Sequence, residues 1–103
     1  MSFMRVIARK NLAAFSVKHP ETRPVLERWE AVVKAASWRT MSELQASFSN
    51  AVVSNSERVK FEVHHNDYRM IVVFDFVRQV AFIKFLGTHK EYDAVNALTV
   101  SMF

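Results

Sequence analysis

The sequence predicts an α+β fold in which N-terminal helices pack on one face of a small antiparallel β-sheet, or of one with a mixed edge. Two observations favour this class. Apolar residues recur at helical spacing in the first half of the chain, and from Val59 onward they alternate with polar residues at the two-residue period of β-strands. The 103 residues also fit a single domain spanning residues 1–103 and burying one core.

The first half of the chain contains one strand signal followed by two helix signals. The segment MRVIA favours a short strand. Apolar residues spaced for one helix face predict a helix over Arg9–His19, which ends at Pro20. A continuous apolar stripe over Pro24–Ala36, with a proline in its first turn, predicts a second helix that buries one face.

A short third helix and a loop are predicted before the strands begin. Thr40 and Glu43 have capping-box spacing and open a helix that continues through Leu44 and Phe48. The segment Ser47–Ser56 holds four serines and two asparagines, a composition typical of a loop.

Three strands follow, and pairing them predicts which face of the sheet is apolar. They begin at Val59, Tyr68 and Val80, with two-residue turns at Asn66–Asp67 and Val77–Arg78. A slip of one residue in either hairpin would mix polar with apolar partners, which favours this register. Every cross-strand pair on one face is then apolar: Val63 with Met70, Phe61 with Val72, Val59 with Phe74, Phe74 with Ala81, Val72 with Ile83 and Met70 with Phe85.

The opposite face of this sheet has a mixed composition. It carries Lys60, Glu62, His64, Arg69, Ile71, Val73, Asp75, Val80, Phe82, Lys84 and Leu86. The predicted register sets His64 opposite Arg69, and Arg69 opposite Leu86. One edge of the face therefore collects titratable and cationic groups: His64 or His65, Arg69, His89, Lys90 and Tyr92, with Lys84 one step further in beside Ile71.

The only glycine of the chain, Gly87, lies where the last strand ends. A glycine there permits a positive φ or a close approach of the backbone. Thr88 and Glu91 have capping-box spacing, so a turn of helix could begin there and expose its N–H groups toward an anion. An ordinary turn from strand to helix explains the same residues without a functional site.

Charge and composition limit the function classes. Fourteen Lys and Arg against ten Asp and Glu give a net charge of +4, which suits nucleic acid or an acidic protein and also suits an ordinary solvated surface. The absence of cysteine excludes thiol nucleophiles and disulfides, and a single glycine excludes dinucleotide-binding and P-loop motifs. With no long apolar run and no signal-peptide pattern, we expect a soluble, cytoplasmic protein with no membrane partner.

The chemistry of the predicted edge fits RNA cleavage without a metal or other cofactor. RNA supplies its own nucleophile, the 2′-hydroxyl. Cleavage requires removal of that proton, neutralisation of charge on the phosphate and protonation of the 5′-oxygen. Histidine can transfer protons near neutral pH, whereas Arg and Lys stabilise the phosphate. A divalent-metal nuclease would need clustered carboxylates, and those of this chain are dispersed or paired with cations.

The second half of the chain, NDYRMIVVFDFVRQVAFIKFLGTHKEYDAV, resembles the HigB-type toxins, a branch of the RelE-like (RelE/ParE) superfamily. The segments RVIARKNLAAFSVKHPE and WEAVVKAASWRT extend the resemblance over nearly the whole chain. It implies a RelE-like fold, cleavage of mRNA on the translating ribosome, and neutralisation by a HigA-type antitoxin with a helix-turn-helix region. Relative to family members that begin near MRVIA, residues 1–3 would be an extension.

The resemblance also implies roles for individual residues. Arg69 matches the phosphate-contacting arginine on the middle strand, and Lys60 falls near the strand lysines of the superfamily. His89 and Lys90 lie where the superfamily places basic catalytic residues, and Tyr92 is similar to its C-terminal tyrosine. The expected catalytic set is Arg69, His89, Lys90 and Tyr92, and the expected RNA path is lined by Lys60, His64 and Lys84, with no metal site.

Two other function classes use the same basic edge. A non-catalytic RNA-binding module would stack bases on Phe82 or Tyr92 and bind RNA without cutting it. A protein-interaction domain would dock an acidic segment there, which is also what an antitoxin would do. The sequence leaves the choice to a cleavage assay.

Overall fold

The computed structural model of the protein describes residues 3–103 and contains one five-stranded sheet. The predicted extension over residues 1–3 lies outside the described residues except for Phe3. In chain order the elements are β1 (Arg5–Ile7), α1 (Arg9–Lys18), a 3-10 turn (Pro20–Thr22), α2 (Arg23–Ala35), α3 (Met41–Ser47), β2 (Val52–Val53), β3 (Arg58–Val63), β4 (Tyr68–Asp75), β5 (Val80–Thr88) and α4 (His89–Asp93).

The sheet has the strand order β1-β5-β4-β3-β2. β1 runs parallel to β5 and every other neighbouring pair is antiparallel, which confirms the α+β class and the mixed edge. The prediction of an unbroken loop over Ser47–Ser56 is wrong at Val52–Val53. These two β-branched residues pair with Val59 and Lys60 and extend the sheet at the open edge of β3.

The three N-terminal helices cover one face of the sheet, as predicted, and their ends agree with the prediction to within one residue. Leu12 of α1, Val33 of α2 and Leu44 of α3 are buried in the common core. The Trp29 ring meets the Phe61 ring edge to face, with 5.6 Å between centroids. Among residues 3–103 no helix combines the length and apolar character needed to cross a bilayer.

The hairpin of β3 and β4 has the predicted faces but a register shifted by two residues. Phe61 pairs with Met70 instead of Val72, and the turn spans four residues, 64–67, instead of two. Alternation cannot detect this error, because a shift of two residues returns every side chain to its original face. The longer turn allows Tyr68 to pair with Val63 and to bury its ring against α1.

The hairpin of β4 and β5 follows the predicted register only up to a β-bulge. Val72 pairs with Ile83 as predicted, but Ile71 pairs with Phe85, which leaves Lys84 as an extra residue in β5. Beyond the bulge the faces of β5 are exchanged. Leu86 therefore pairs with Met70 and enters the helix-covered core, whereas Phe85 lies on the opposite face, contrary to prediction.

Replacement of Leu86 by alanine tests this exchange of faces. Leu86 is 2% exposed within the core, so Leu86→Ala should lower the free energy of unfolding by about 2–5 kcal/mol, measured by urea denaturation. Leu98, which is 52% exposed, provides the matched control, and Leu98→Ala should change stability by less than about 0.5 kcal/mol. Equal effects of the two substitutions would contradict the bulge.

Candidate functional site

Tyr92 of α4 lies over the face of the sheet that the N-terminal helices leave open. Its ring centroid is 5.8 Å from Lys60 Nζ, on β3, and 5.8 Å from Arg69 Cζ, on β4. The Phe85 ring of β5 meets it nearly edge to face, with 6.1 Å between centroids. We call Lys60, Arg69, Phe85 and Tyr92 the Tyr92 cluster. Two cations thus share one phenol ring, an arrangement that the electron-rich ring face stabilises.

Arg69 is a buried cation, with only 6% of its surface exposed. Its Nη1 donates to the carbonyl oxygen of Asn66 at 3.0 Å, and its Nε finds no hydrogen-bond partner among the described residues. Burying a guanidinium with an unused donor is costly, so the group is poised to gain from an additional acceptor. Across the sheet its Cα partners are Gly87 and Glu62, not the predicted Leu86 and His64.

The start of α4 is built on close contact at Gly87. A Cβ at this position would lie 2.9 Å from Phe85 Cζ, closer than real Cβ atoms approach, and 3.0 Å from Glu91 Oε1, which is a tight contact. The predicted close approach of the backbone is therefore confirmed, whereas the alternative of a positive φ is wrong. The residue must be small because the Phe85 ring and the cap of α4 occupy the space beside it.

The predicted capping box is confirmed. Thr88 Oγ1 accepts from the Glu91 N–H at 3.1 Å, and Glu91 Oε1 accepts from the Thr88 N–H at 2.8 Å. The hydrogen bond from the Thr88 backbone lowers the pKa of Glu91 below 4.5. The His89 N–H donates to the Asp67 carbonyl at 3.1 Å. These three N–H groups already have partners and are therefore not available to an anion.

His64 and His89 each have an aspartate beside Nδ1. His64 Nδ1 is 2.9 Å from Asp67 Oδ2, and His89 Nδ1 is 3.1 Å from Asp93 Oδ2. A carboxylate at Nδ1 favours a proton there and orients the ring, which leaves Nε2 to exchange a proton with another molecule. The bond from His89 N–H to the Asp67 carbonyl joins the two segments that carry these histidines.

Lys84 and Lys90 are not brought into the Tyr92 cluster. Lys84 is the extra residue of the bulge, and its Nζ lies 5.5 Å from the centroid of the Phe82 ring. The two side chains line a shallow cleft with Val73 and Asp75 near the turn between β4 and β5. Lys90 is exposed on α4. The predicted cations therefore lie in three places: Lys60 and Arg69 beside Tyr92, Lys84 beside Phe82, and Lys90 on the surface of α4.

A group that the sequence reasoning missed surrounds Tyr68. The Tyr68 hydroxyl donates to the Glu21 carboxylate and lies 3.2 Å from His19 Nδ1. The hydrogen bond to Glu21, with burial adding to it, raises the pKa of Tyr68 to about 12, and the same bond lowers the pKa of Glu21. No local sequence pattern predicts this group, because His19 and Tyr68 are 49 positions apart in the chain.

Glu62 was also missed as a neighbour of the site. Its Cα is paired with that of Arg69, and residues directly opposite each other share a face of the sheet. Glu62 lies two residues after Lys60, and this spacing indicates that the two side chains share a face of β3. The spacing identifies Glu62 as a neighbour of Arg69 only when the register of β3 and β4 is correct.

Comparison with known protein families matches residues 22–95 to the model of HigB toxin, the RelE-like toxic component of a toxin-antitoxin system. The match covers more than half of the chain, extends from α2 to beyond α4, and includes all seven residues predicted for the site. A search of curated proteins found no match to the chain.

The contact at Gly87 predicts a cost for even the smallest side chain. Gly87→Ala should lower the free energy of unfolding by about 1–3 kcal/mol, since the new Cβ would overlap the Phe85 ring. Chemical denaturation measures this loss. The loss should shrink in a Phe85→Leu background, where the ring is absent. Stabilisation by Gly87→Ala, the usual result in an unstrained strand, would show that there is no close contact.

The lowered pKa of Glu91 predicts a pH-dependent contribution to stability. The folded state favours the ionised carboxylate, so this contribution is complete above 4.5 and is lost as the pH falls through the lower folded value. The difference in urea midpoint between the protein and Glu91→Gln should therefore be present at neutral pH and close under acid conditions. If the difference in urea midpoint stayed the same at acid pH, the link between ionisation of Glu91 and stability would be refuted. Glu43→Gln, at the cap of α3, is the matched control variant.

Proposed function

The chain belongs to the HigB toxin family, the RelE-like toxic components of toxin-antitoxin systems, and from this premise we propose that it is a metal-independent endoribonuclease. In this proposal it cleaves mRNA on the translating ribosome in the cytoplasm and so inhibits translation. An antitoxin partner follows from family membership. We propose that this partner is a HigA-type protein with a helix-turn-helix region.

The observation that carries the proposal is the position of two cations against one phenol in the Tyr92 cluster. Charge develops on the phosphoryl oxygens when the 2′-hydroxyl attacks, and fixed donors stabilise it more than mobile ones. Arg69 is held by burial and by the Asn66 carbonyl, and its Nε is unpaired within the described chain. A phosphate oxygen would supply the acceptor that this guanidinium lacks.

In this proposal, proton transfer falls to His89 and His64, which are not members of the Tyr92 cluster. His89, with Asp93 at Nδ1, can exchange a proton through Nε2, and His64 is built in the same way. Tyr92 positions the RNA or protonates the leaving 5′-oxygen beside the two cations. Lys60 adds charge at the phosphate. Lys90 and Lys84 serve as more distant contacts along the RNA, because neither lies in the cluster.

A second candidate function is RNA binding without cleavage. The observation that favours it is the Lys84 ammonium 5.5 Å from the Phe82 ring centroid, since an aromatic ring beside a cation suits stacking of a base. This candidate predicts salt-sensitive RNA binding and no scission.

Loss of Arg69 or His89 tests the endoribonuclease. Each of Arg69→Ala and His89→Ala should reduce cleavage by about a hundredfold or more, since one removes a phosphate donor and the other a proton-transfer group. The readout is primer extension of mRNA 5′ ends after brief induction in cells, with thermal unfolding to verify that each variant folds. Arg78→Ala, at an exposed arginine of the turn between β4 and β5, is the matched control.

Three outcomes are informative. New 5′ ends within translated regions, present with the protein and with Arg78→Ala but lost in the other two variants, support the proposal. Unchanged cleavage by both folded variants would reject the site. Absence of new ends with every protein, despite folding and expression, would favour the RNA-binding module.

A further inference from the structure

After α4 the chain crosses back over the open face of the sheet in a segment that we call the C-terminal strap, residues 94–103. Two fixed points hold it. Arg58 Nη1, on β3, donates to the carbonyl oxygens of Ala97 at 3.2 Å and Val100 at 2.9 Å. The Met102 N–H donates to the Lys84 carbonyl at 2.7 Å, at the bulge of β5. The strap thus ties the first strand of the β3–β4 hairpin to the last strand of the sheet.

Arg58 is unusual because it is a buried cation whose partners are main-chain carbonyls. It is 9% exposed and forms no ion pair among the described residues. Removing a guanidinium from water is costly unless its N–H groups form hydrogen bonds. In Arg58, Nη1 forms two such bonds with carbonyl oxygens of the strap. Arg58 precedes Lys60 by two positions, so both side chains project from the same face of β3.

The strap presents these carbonyls through a turn organised by Asn96. The Asn96 carbonyl accepts from the N–H groups of Thr99 at 3.1 Å and Val100 at 2.9 Å, and its side-chain oxygen accepts from the Leu98 N–H at 3.0 Å. The N–H groups of Leu98, Thr99 and Val100 therefore have partners within the turn. Its Ala97 and Val100 carbonyls are left for Arg58.

α4 depends on contacts at both of its ends. It has five residues, none of them fully buried, and a helix this short is not stable on its own. The capping box at Thr88 fixes its first turn. Its last residues lead directly into the strap, where the Val95 N–H donates to the Tyr92 carbonyl at 3.2 Å. Without the strap, only one end of the helix that carries Tyr92 would be anchored.

We propose that Arg58 is a positioning residue: by holding the Ala97 and Val100 carbonyls of the strap, it keeps Tyr92 over Lys60 and Arg69. The cations beside the Tyr92 ring are Lys60 and Arg69, so Arg58 would act on that ring through the main chain between residues 92 and 97. The catalytic consequence rests on the proposed endoribonuclease function. The structural consequence, the placement of Tyr92, can be measured without any RNA.

Fluorine NMR provides that measurement, because the chain has only two tyrosines, Tyr68 and Tyr92. Protein labelled with 3-fluorotyrosine should give two resonances, assigned with Tyr92→Phe. Arg58→Ala should shift or broaden the Tyr92 resonance and leave that of Tyr68 in place, since Tyr68 is held by Glu21 and His19. Arg78→Ala, which removes an exposed arginine, should change neither resonance.

A second variant covers the case in which Arg58→Ala fails to fold. Asn96 is exposed, so Asn96→Ala should fold while loosening the turn that presents the carbonyls to Arg58. It should move the Tyr92 resonance in the same direction by a smaller amount. An unmoved Tyr92 resonance in the folded variants would overturn the proposal.

Cleavage assays add the catalytic readout. Arg58→Ala should reduce cleavage by about tenfold or more, as expected for a misplaced catalytic group, and Arg58→Lys should recover part of the loss. In a Tyr92→Phe background the same substitution should have a smaller effect, because the two residues act as one unit. Loss of cleavage with an unmoved Tyr92 resonance would mean that Arg58 contacts RNA directly, and would overturn the proposal. Absence of cleavage by every protein would refute the proposed function alone, since the NMR result stands apart from it.

Discussion

The β-bulge at Lys84 is the constraint on which the rest of the open face depends. By inserting one residue into β5, it turns Leu86 into the core and Phe85 out onto the opposite face. The Phe85 ring then packs nearly edge to face against the Tyr92 ring. Gly87 also lies against the Phe85 ring, which leaves no space for a side chain there. Without the bulge, the Phe85 ring would face the helices, and Tyr92 would have no aromatic partner beneath it.

The open face contains two buried arginines whose hydrogen-bond partners are main-chain carbonyls and not carboxylates. Arg58 donates to the Ala97 and Val100 carbonyls, and Arg69 donates to the Asn66 carbonyl. Carbonyl dipoles satisfy donors but leave the net charge of each guanidinium intact. Positive potential is therefore retained on this face, where Lys60 adds to it. The exposed ion pairs Arg9–Glu30 and Arg23–Glu27, in contrast, cancel charge on the helical side.

Periodicity predicted the elements of this fold well because each helix and strand buries one face. The apolar residues of that face recur in the sequence at the period of the element. The helices and the sheet class are confirmed for that reason, whereas the capping box at Thr88 is confirmed because its spacing is a local motif of its own. Periodicity cannot count the residues of a turn, so the β3–β4 hairpin was misplaced by two positions and Arg69 received the wrong partners. Periodicity also does not reveal the β-bulge. A strand with one extra residue still has the composition of a strand, and only its pairing with β4 shows that the faces are exchanged. Arg69 and Tyr92 meet as predicted, and Lys60 keeps the same face as Arg69 because a shift of two residues does not change the face of a side chain. The Tyr68 group and the strap depend on contacts between distant segments and have no local signal.

The span of the Arg58 contacts has a consequence for the order in which the molecule is completed. The Ala97 and Val100 carbonyls lie 39 and 42 positions after the arginine that binds them. Each hairpin joins strands that follow one another directly in the chain, so it closes a shorter loop than the contacts of Arg58 do. The contact between Arg58 and Val100 closes the longer of these two loops and therefore costs more chain entropy than either hairpin. We therefore expect the face that carries Tyr92 to be completed after the hairpins of the sheet have formed.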